Sequence, residues 1–486
     1  MTAPDPHRAA SAAVRAFARD TNLLVAGRTS RVRGTTQEAA ALRELLARLG
    51  SRAFTADESG APGVEFEAAG TGWRALVDGA PIPDRGDAAG RIDFAGRHMP
   101  VSRALAGELA DSGIVRGLRV GIAMVLEPKT AQLALLLRGA GADVAVYAHP
   151  DETDQEVAEA LRALGVPVDA DAALSGGAER AAAEAFLRRG FDVLLDDGSH
   201  LIRLAHESAP DEVDRWIGAN EETTSGLTPL RAMHEAGALA CPVIAVNDAA
   251  MKTDFDNLHG TGQSCAFAIA DLLEGVGADI AAQPALVIGY GPVGQGTARR
   301  LAALGADVRV AETDPVRALR AIHDGFRTGR AAELADGALV VSATGAPDTI
   351  GSDIASRAFA IAVAGGVPGE VSVDEPREPV GAHVERLASS GALLLAGGGC
   401  VNIIAAEGNP IEIMDYSFAV QLAGLAHLVR TRPGIGVHPL PREIDERVAR
   451  TALAARGARV DEAEAAASPA DSDWRSPRSR SAGGAA

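Results

Sequence analysis

Ala285-Leu286-Val287-Ile288-Gly289-Tyr290-Gly291-Pro292-Val293-Gly294 is the stretch whose reading decides the fold. An apolar strand runs into three glycines at G-x-G-x-x-G spacing, and Thr297-Ala298-Arg299-Arg300-Leu301 then has the alternation of an opening helix. The first glycine permits a tight turn, the second lets backbone approach a pyrophosphate, and the third lets helix and strand pack closely. Val308-Arg309-Val310-Ala311-Glu312 supplies a second strand ending in a carboxylate, 18 residues beyond Gly294. Such a carboxylate accepts hydrogen bonds from adenosine ribose hydroxyls and repels a 2′-phosphate, so the pattern predicts NAD in preference to NADP. Three spaced glycines mean little alone in a chain with 54 of them. The order strand, glycines, helix, strand, acid gives them their meaning.

Working outward, 486 residues exceed one ordinary core and predict two or three domains. The chain is 47% hydrophobic with 3% aromatic residues, which suits helices on parallel strands. Its 46 Lys and Arg against 65 Asp and Glu leave a net charge of -19, which argues against a nucleic-acid or anionic-membrane partner. Cys241, Cys265 and Cys400 form neither a disulfide framework nor a metal-binding spacing, so no metal is expected. Neither a signal-like amino terminus nor a run of about 18 apolar residues is evident, and a soluble, cytoplasmic protein is the expectation.

Residues 1–87 read as a separate α+β segment of opaque chemistry, with helical periodicity over Thr36–Leu49 and a strand pair around Gly63–Val77. The Pro/Gly/Asp-rich stretch Gly79–Gly90 reads as a linker. From Ile92 the grammar is βα, with strands at Leu118–Val125, Ala142–Tyr147 and Val193–Leu195 and helices at Thr130–Gly139 and Gln155–Leu164. It restarts after Pro284 and continues through Ala338–Ser342, Ala358–Val363 and Ala392–Ala396. The fold class expected is therefore α/β, with two doubly wound, Rossmann-like parallel-sheet domains at 88–256 and 257–405. A return segment at 406–456 and a flexible tail at 457–486 complete the division, and the last dozen residues read as disordered.

Upstream of the glycines lie Leu195-Asp196-Asp197-Gly198, Asn220-Glu221-Glu222-Thr223-Thr224-Ser225-Gly226 and Asn247-Asp248-Ala249-Ala250-Met251-Lys252-Thr253-Asp254-Phe255-Asp256-Asn257-Leu258. Together with Gly289–Gly296, Glu312-Thr313-Asp314-Pro315, Ile92–Ala95 with Met99-Pro100, Val401-Asn402 and Gly436–Pro441, these resemble the S-adenosyl-L-homocysteine hydrolase family over roughly residues 90–445. The resemblance implies a substrate-binding and an NAD-binding domain, a nucleoside substrate, and a homo-oligomer, dimer or tetramer. It implies transient oxidation of the nucleoside 3′ carbon, loss of the acidified 4′ proton, departure of the 5′ substituent, addition of water, and reduction. Under it Lys252 and Asp256 hold and deprotonate the 3′ hydroxyl, a buried lysine being able to act as base when its pKa is lowered. Asn257 orients nicotinamide or substrate, Glu222 binds ribose hydroxyls, and Asp197 is the acid/base at the 4′/5′ end. Thr223, Thr224, Ser225, Thr344, Gly345 and Asn402 join Gly289, Gly291, Pro292, Val293, Gly294 and Glu312 around the cofactor.

The departures fall near the base and the 5′ carbon. A family histidine segment is replaced by Met124-Val125-Leu126-Glu127-Pro128-Lys129-Thr130, a family cysteine by Thr261, and a second histidine segment by Ala364-Gly365-Gly366-Val367-Pro368. The family's G-H-P becomes Gly408-Asn409-Pro410, and its closing K-P-D-x-Y-R-Y is absent. With the redox half retained and the hydrating half altered, the expectation is a dehydratase that leaves an exocyclic alkene. His200 is the candidate acid for the leaving group, while Glu127, Lys129 and Asn409 are candidate contacts to base or sugar. An Ala/Arg-rich, Lys-poor composition suits a GC-rich bacterial genome and a nucleoside-antibiotic role. The alternatives are hydrolysis of S-adenosylhomocysteine, a non-catalytic NAD-binding regulator, and a net dehydrogenase releasing a 3′-keto nucleoside.

Overall fold

Leu286, Val287 and Ile288 are buried on both sides of their strand, as a central strand of a parallel sheet requires. The structure, a computed structural model, describes residues 5–55, 61–70, 72–82 and 86–461. Pro284–Ile288 lies between Asp307–Ala311 and Leu339–Ser342, both parallel to it. Arg327–Thr328 extends one flank, and Ala360–Val363 with Leu393–Leu395 the other. An antiparallel pair, Val384–Leu387 and Arg377–Gly381, closes that edge and makes eight strands. Strand order reverses between Pro284–Ile288 and Leu339–Ser342. Such a switch point opens a crevice at the carboxyl ends of the strands, and the glycines lie there.

A second sheet has seven strands, all parallel, in the spatial order Gly436–Pro439, Pro242–Ala245, Gly218–Glu221, Val193–Asp196, Arg119–Ala123, Asp143–Tyr147, Val168–Asp169. Its switch point falls between Arg119–Ala123 and Val193–Asp196. Both sheets are doubly wound, so the expected α/β class holds. The chain reaches the second sheet's last strand only after building the first. The 21-residue helix Ile411–Thr431 runs back, and Gly436–Pro439 pairs with Pro242–Ala245. Strands and helices arise close to where periodicity put them: Arg119–Ala123, Pro128–Gly139, Asp143–Tyr147 and Gln155–Ala163.

The stretch read as a linker differs. Ala80–Pro81 pairs antiparallel with Leu76 and Val77, and the helix Ala88–Arg97 starts inside it. Asp87 caps that helix by accepting from the Gly90 N–H at 2.6 Å, a signal masked by the surrounding glycines and prolines. Ile92–Ala95 is thus helical, and two helices, Ala88–Arg97 and Pro100–Ser112, precede the first strand of the seven-stranded sheet. The tail read as disordered lies outside the described residues from 462 onward. No helix among the described residues is long and apolar enough to cross a membrane.

The amino-terminal segment has its own five-stranded mixed sheet and two helices, Pro6–Thr21 and Gln37–Arg48. It is fastened to the rest of the chain. The Arg15 guanidinium donates to Asp271 and Glu274, the Val25 N–H donates to Gln263 Oε1 at 2.9 Å, and the Ile411 N–H donates to Asn22 O at 2.9 Å.

Candidate active site

Gly289 has φ +94°, and a Cβ there would stand 2.8 Å from the Ala343 carbonyl oxygen. At Gly294 a Cβ would lie 2.0 Å from the Gly289 carbonyl oxygen, which no side chain can accommodate. A Cβ on Gly291 would meet nothing closer than the Arg317 guanidinium at 3.8 Å, so this part of the floor is open to a ligand. The helix Pro292–Ala303 starts at Gly291 with no side-chain cap and with proline, which has no N–H to waste, in its first turn. Its unpaired N–H groups and dipole suit a pyrophosphate. Val293 packs against the core beneath.

Glu312 Oε2 accepts from the Tyr290 N–H at 2.6 Å, while Oε1 accepts from Thr313 and Asp314 N–H groups at 2.7 and 3.0 Å. Burial alone would raise its pKa, but these backbone donors hold it below the usual carboxylate value. The carboxylate therefore stays charged at the turn. Across the switch point Thr344 Oγ1 bonds Thr349 Oγ1 at 2.7 Å, and Gly345 has φ +60°. These features fit NAD: a Cβ-free floor, an uncapped helix start and a fixed anion at the end of the neighbouring strand.

The second cluster forms where Thr253–Gly260 winds as a π-helix. Widening the turn brings two successive residues against Lys252: Nζ lies 2.8 Å from Asp256 Oδ2 and donates to Asn257 Oδ1 at 3.0 Å. Lys252 and Asp256 are only 3% and 5% exposed. Asn257 Nδ2 donates to Asn247 Oδ1 at 3.3 Å, and Asn247 Nδ2 donates to Thr224 Oγ1 at 2.9 Å. Desolvation pulls the Lys252 pKa down, but Asp256, Glu222 and Asp197 outweigh it and the net shift is upward. The sequence-based expectation of a lowered lysine is thereby corrected. Three carboxylates around one amine keep the ammonium form.

Two carboxylates of the Gly218–Glu221 strand end play different parts. Glu221 is fully buried and accepts from the Gly198, Ser199 and Thr223 N–H groups at 3.0, 2.8 and 2.8 Å, and from Thr223 Oγ1 at 2.7 Å. It builds the turn that presents Asp197, a task the sequence reading left unassigned. Glu222 Oε2 accepts from Gln421 Nε2, whereas Oε1 is buried with no partner. Burial lifts Glu222 to about 8, against the opposing pull of Lys252. Burial likewise raises Asp197, with Lys252 opposing and Asp256 adding to the rise. Thr223 caps the helix Thr224–Glu235, and Ser225 Oγ donates to Thr223 Oγ1 at 3.2 Å. A Cβ on Gly366 would sit 3.8 Å from Ser225 Oγ, so the loop of the altered histidine segment faces Ser225.

Asn409 joins this cluster directly. Its Nδ2 donates to Asp256 Oδ1 and to Thr261 Oγ1, the latter at 3.0 Å. Its Oδ1 accepts from Asn402 Nδ2 at 3.0 Å and from Ser264 Oγ at 2.8 Å. Two altered positions, Thr261 and Asn409, thus form one hydrogen-bonded unit with Asp256. Glu127 pairs with Lys129 at 2.6 Å, and burial raises its carboxyl to about 7 despite the ammonium. Lys129 is fully buried; apart from its ion pair with Glu127, its Nζ donates to Glu407 O at 2.6 Å and Asn22 Oδ1 at 3.3 Å. With one ion pair and two hydrogen bonds inside the protein, it is an anchor, contrary to its reading as a base or sugar contact. His200 does not join the lysine cluster. Its ring packs over Gly198 and edge-on to His149 at 5.0 Å between centroids.

Asp197, Glu222, Lys252, Asp256, Asn257, Asn402 and Asn409 are thus gathered at one end of the seven-stranded sheet. The glycine cradle stands at the switch point of the other. The sequence model of S-adenosyl-L-homocysteine hydrolase matches residues 207–469. The chain is 38% identical to S-inosyl-L-homocysteine hydrolase of Methanopyrus kandleri, over 76% of this chain and 91% of that one. It is 37% identical to adenosylhomocysteinase of Thermotoga maritima, over 76% and 95%. Against adenosylhomocysteinase of Archaeoglobus fulgidus it is 35% identical over 79% and 98%. The chain belongs to the S-adenosyl-L-homocysteine hydrolase family and is an NAD-dependent enzyme.

Proposed function

We propose that this enzyme acts on a nucleoside by 3′ oxidation, 4′ deprotonation and expulsion of the 5′ substituent. The observation that carries this reading is the buried Lys252–Asp256 pair beside Glu222, whose Oε1 lacks a partner where a ribose hydroxyl can supply one. Bound NAD, held by Gly289–Gly294, Glu312 and Thr344-Gly345, supplies a reversible hydride acceptor for the sugar.

Around it the chain's own groups handle protons. Asp256, held by Asn409, accepts the proton of the 3′ hydroxyl, and the Lys252 ammonium stabilises the oxygen as charge develops. Glu222, neutral below about pH 8, exchanges hydrogen bonds with the neighbouring hydroxyl. Asp197 is the acid/base at the 4′/5′ end. Burial raises its pKa, with Lys252 opposing, which favours a carboxyl able to take and return a proton.

The activities of the relatives named above support hydrolysis of an S-nucleosyl-homocysteine as the net outcome. A second outcome is dehydration to an exocyclic alkene; Glu152, in the short turn after Asp143–Tyr147, is pushed up chiefly by burial and further by Asp197, which is itself raised by burial. Hydroxide is a poor leaving group and needs a proton as it departs, so a site rich in proton-binding groups suits that outcome. Role assignments for Asn257, Asn402, Thr223, Thr224 and Ser225 as cofactor contacts, and a homo-oligomeric state, belong to the same proposal. Incubation with S-adenosylhomocysteine, S-inosylhomocysteine and free nucleosides, read by mass spectrometry, separates the outcomes. Released homocysteine supports hydrolysis, and loss of the mass of water supports dehydration. Net accumulation of reduced cofactor would indicate a dehydrogenase, and no reaction on any substrate a regulator.

A further inference from the structure

We infer that His149 is the acid that protonates the group leaving the nucleoside 5′ carbon, and that the cavity it lines receives that group. The inference rests on the elimination proposed above and holds whether the leaving atom is oxygen or sulfur.

His149 lies two residues beyond the strand Asp143–Tyr147, and Asp197 one residue beyond Val193–Asp196, at the same carboxyl edge of the seven-stranded sheet. Only the strand Arg119–Ala123 separates them, a span of about 10 Å at the backbone that two side chains can close on one substrate carbon. His149 Nδ1 lies 3.0 Å from Glu179 Oε1 and 3.5 Å from the Tyr147 hydroxyl, so the carboxylate orients the ring and fixes its Nδ1 proton. The other nitrogen, Nε2, is buried without a hydrogen-bond partner. An imidazole held by a carboxylate at one nitrogen with the other free is the arrangement a proton donor needs. The cavity beside it, of about 630 Å³, is lined by Tyr147, Glu179, Arg180, His200 and Arg203 as well as His149. That volume suits a small-molecule substituent.

His200 stands on the same cavity but is the weaker donor. Burial, then His149 and Arg203, push its pKa down against Asp151 and Glu179, and among the described residues no carboxylate hydrogen-bonds its ring.

The step balances. As Asp197 takes the 4′ proton, the C–H electron pair forms the C4′=C5′ bond, and the C5′–X bond breaks with its pair passing to X. Nε2 gives its proton to X, releasing water or a thiol, and the neutral imidazole regains a proton from solvent.

The test compares wild type, His149→Gln and Glu179→Gln with adenosine, S-adenosylhomocysteine and 5′-chloro-5′-deoxyadenosine in deuterated water. Both 4′-hydrogen exchange and release of the 5′ group are followed, with folding checked by circular dichroism. His149→Gln is expected to keep 4′ exchange and chloride release while losing about 10²-fold or more of oxygen or sulfur release, because chloride needs no proton. Glu179→Gln should shift the same ratio in the same direction by less. Equal slowing of the chloride substrate, or no effect on any substrate, would overturn the assignment. Wild type that exchanges no 4′ hydrogen and releases no 5′ group would overturn the elimination itself, and this role with it.

Discussion

Lys252 Nζ and Asp256 Oδ2 are 2.8 Å apart across the start of a π-helical segment, and the Lys252 charge also opposes the rise of Glu222 and Asp197. A single buried cation thus serves three carboxylates, and removing it leaves all three without compensation. Lys252→Met is expected to abolish turnover and to destabilise the fold by about 3–5 kcal/mol, as loss of one partner from a buried pair does. Urea denaturation should show the larger loss at alkaline pH, where the carboxyls must ionise without their counter-ion. Equal destabilisation at pH 6 and above pH 8 would refute the electrostatic cause.

Wild-type stability should itself fall as pH rises. Burial raises Asp196 and Glu222 to about 8 and Glu127 to about 7, all above the unfolded carboxyl values. Each group binds its proton more tightly when folded. Its contribution is full below the unfolded pKa near 4 and is lost as pH climbs through the folded value. Denaturation midpoints should decline from pH 5 to pH 8 and flatten above it. Asp196→Asn, which keeps one acceptor for the Ile202 N–H, should reduce that slope.

Much of this was legible in the sequence because the relevant signals are local. Alternation of apolar runs with helical stretches marks the strands of both sheets, and the glycine spacing before Glu312 fixes the cradle, since both are set by neighbours in the chain. The pairing of Gly436–Pro439 with Pro242–Ala245 is long-range and left no local trace. Glu221 and Glu222 are adjacent and chemically identical in sequence. Only the fold shows that one spends its oxygens on backbone N–H groups and the other keeps Oε1 free. His149 carried no motif at all; its meaning comes from Glu179, 30 residues on. Lys252 was misjudged in charge because desolvation was weighed without the carboxylates that fold against it.

Cofactor retention should fail at Gly294 for steric reasons. A methyl group there meets the Gly289 carbonyl at 2.0 Å, so Gly294→Ala must push helix from strand and break the turn. The purified variant is expected to carry little nucleotide when denatured and assayed for released NAD. Glu312→Ala should retain the fold yet lose discrimination, because its fixed anion no longer repels a 2′-phosphate. Unchanged preference for NAD over NADP in that variant would refute the role of Glu312.

Asn22 ties the amino-terminal segment to the loop that carries Asn409. Its Nδ2 donates to Glu407 O at 2.9 Å, its Oδ1 accepts from Lys129, and its carbonyl accepts from the Ile411 N–H. Asn409, between those two anchored residues, holds Asp256. Asn22 has φ 52°, so Asn22→Gly keeps the left-handed backbone and deletes only the amide contacts. A loss of about 1–3 kcal/mol is expected from the unpaired buried groups. Lys129→Met should cost more, about 3–5 kcal/mol, because it also strands the Glu127 carboxylate. Both variants should lower kcat for 4′-hydrogen exchange while leaving bound NAD in place, since the loop they anchor places Asn409 against Asp256 and carries none of the cradle residues Gly289–Gly294 and Glu312. If exchange is unaffected in a variant measurably destabilised by urea, the amino-terminal segment supports the fold alone and not the position of Asn409.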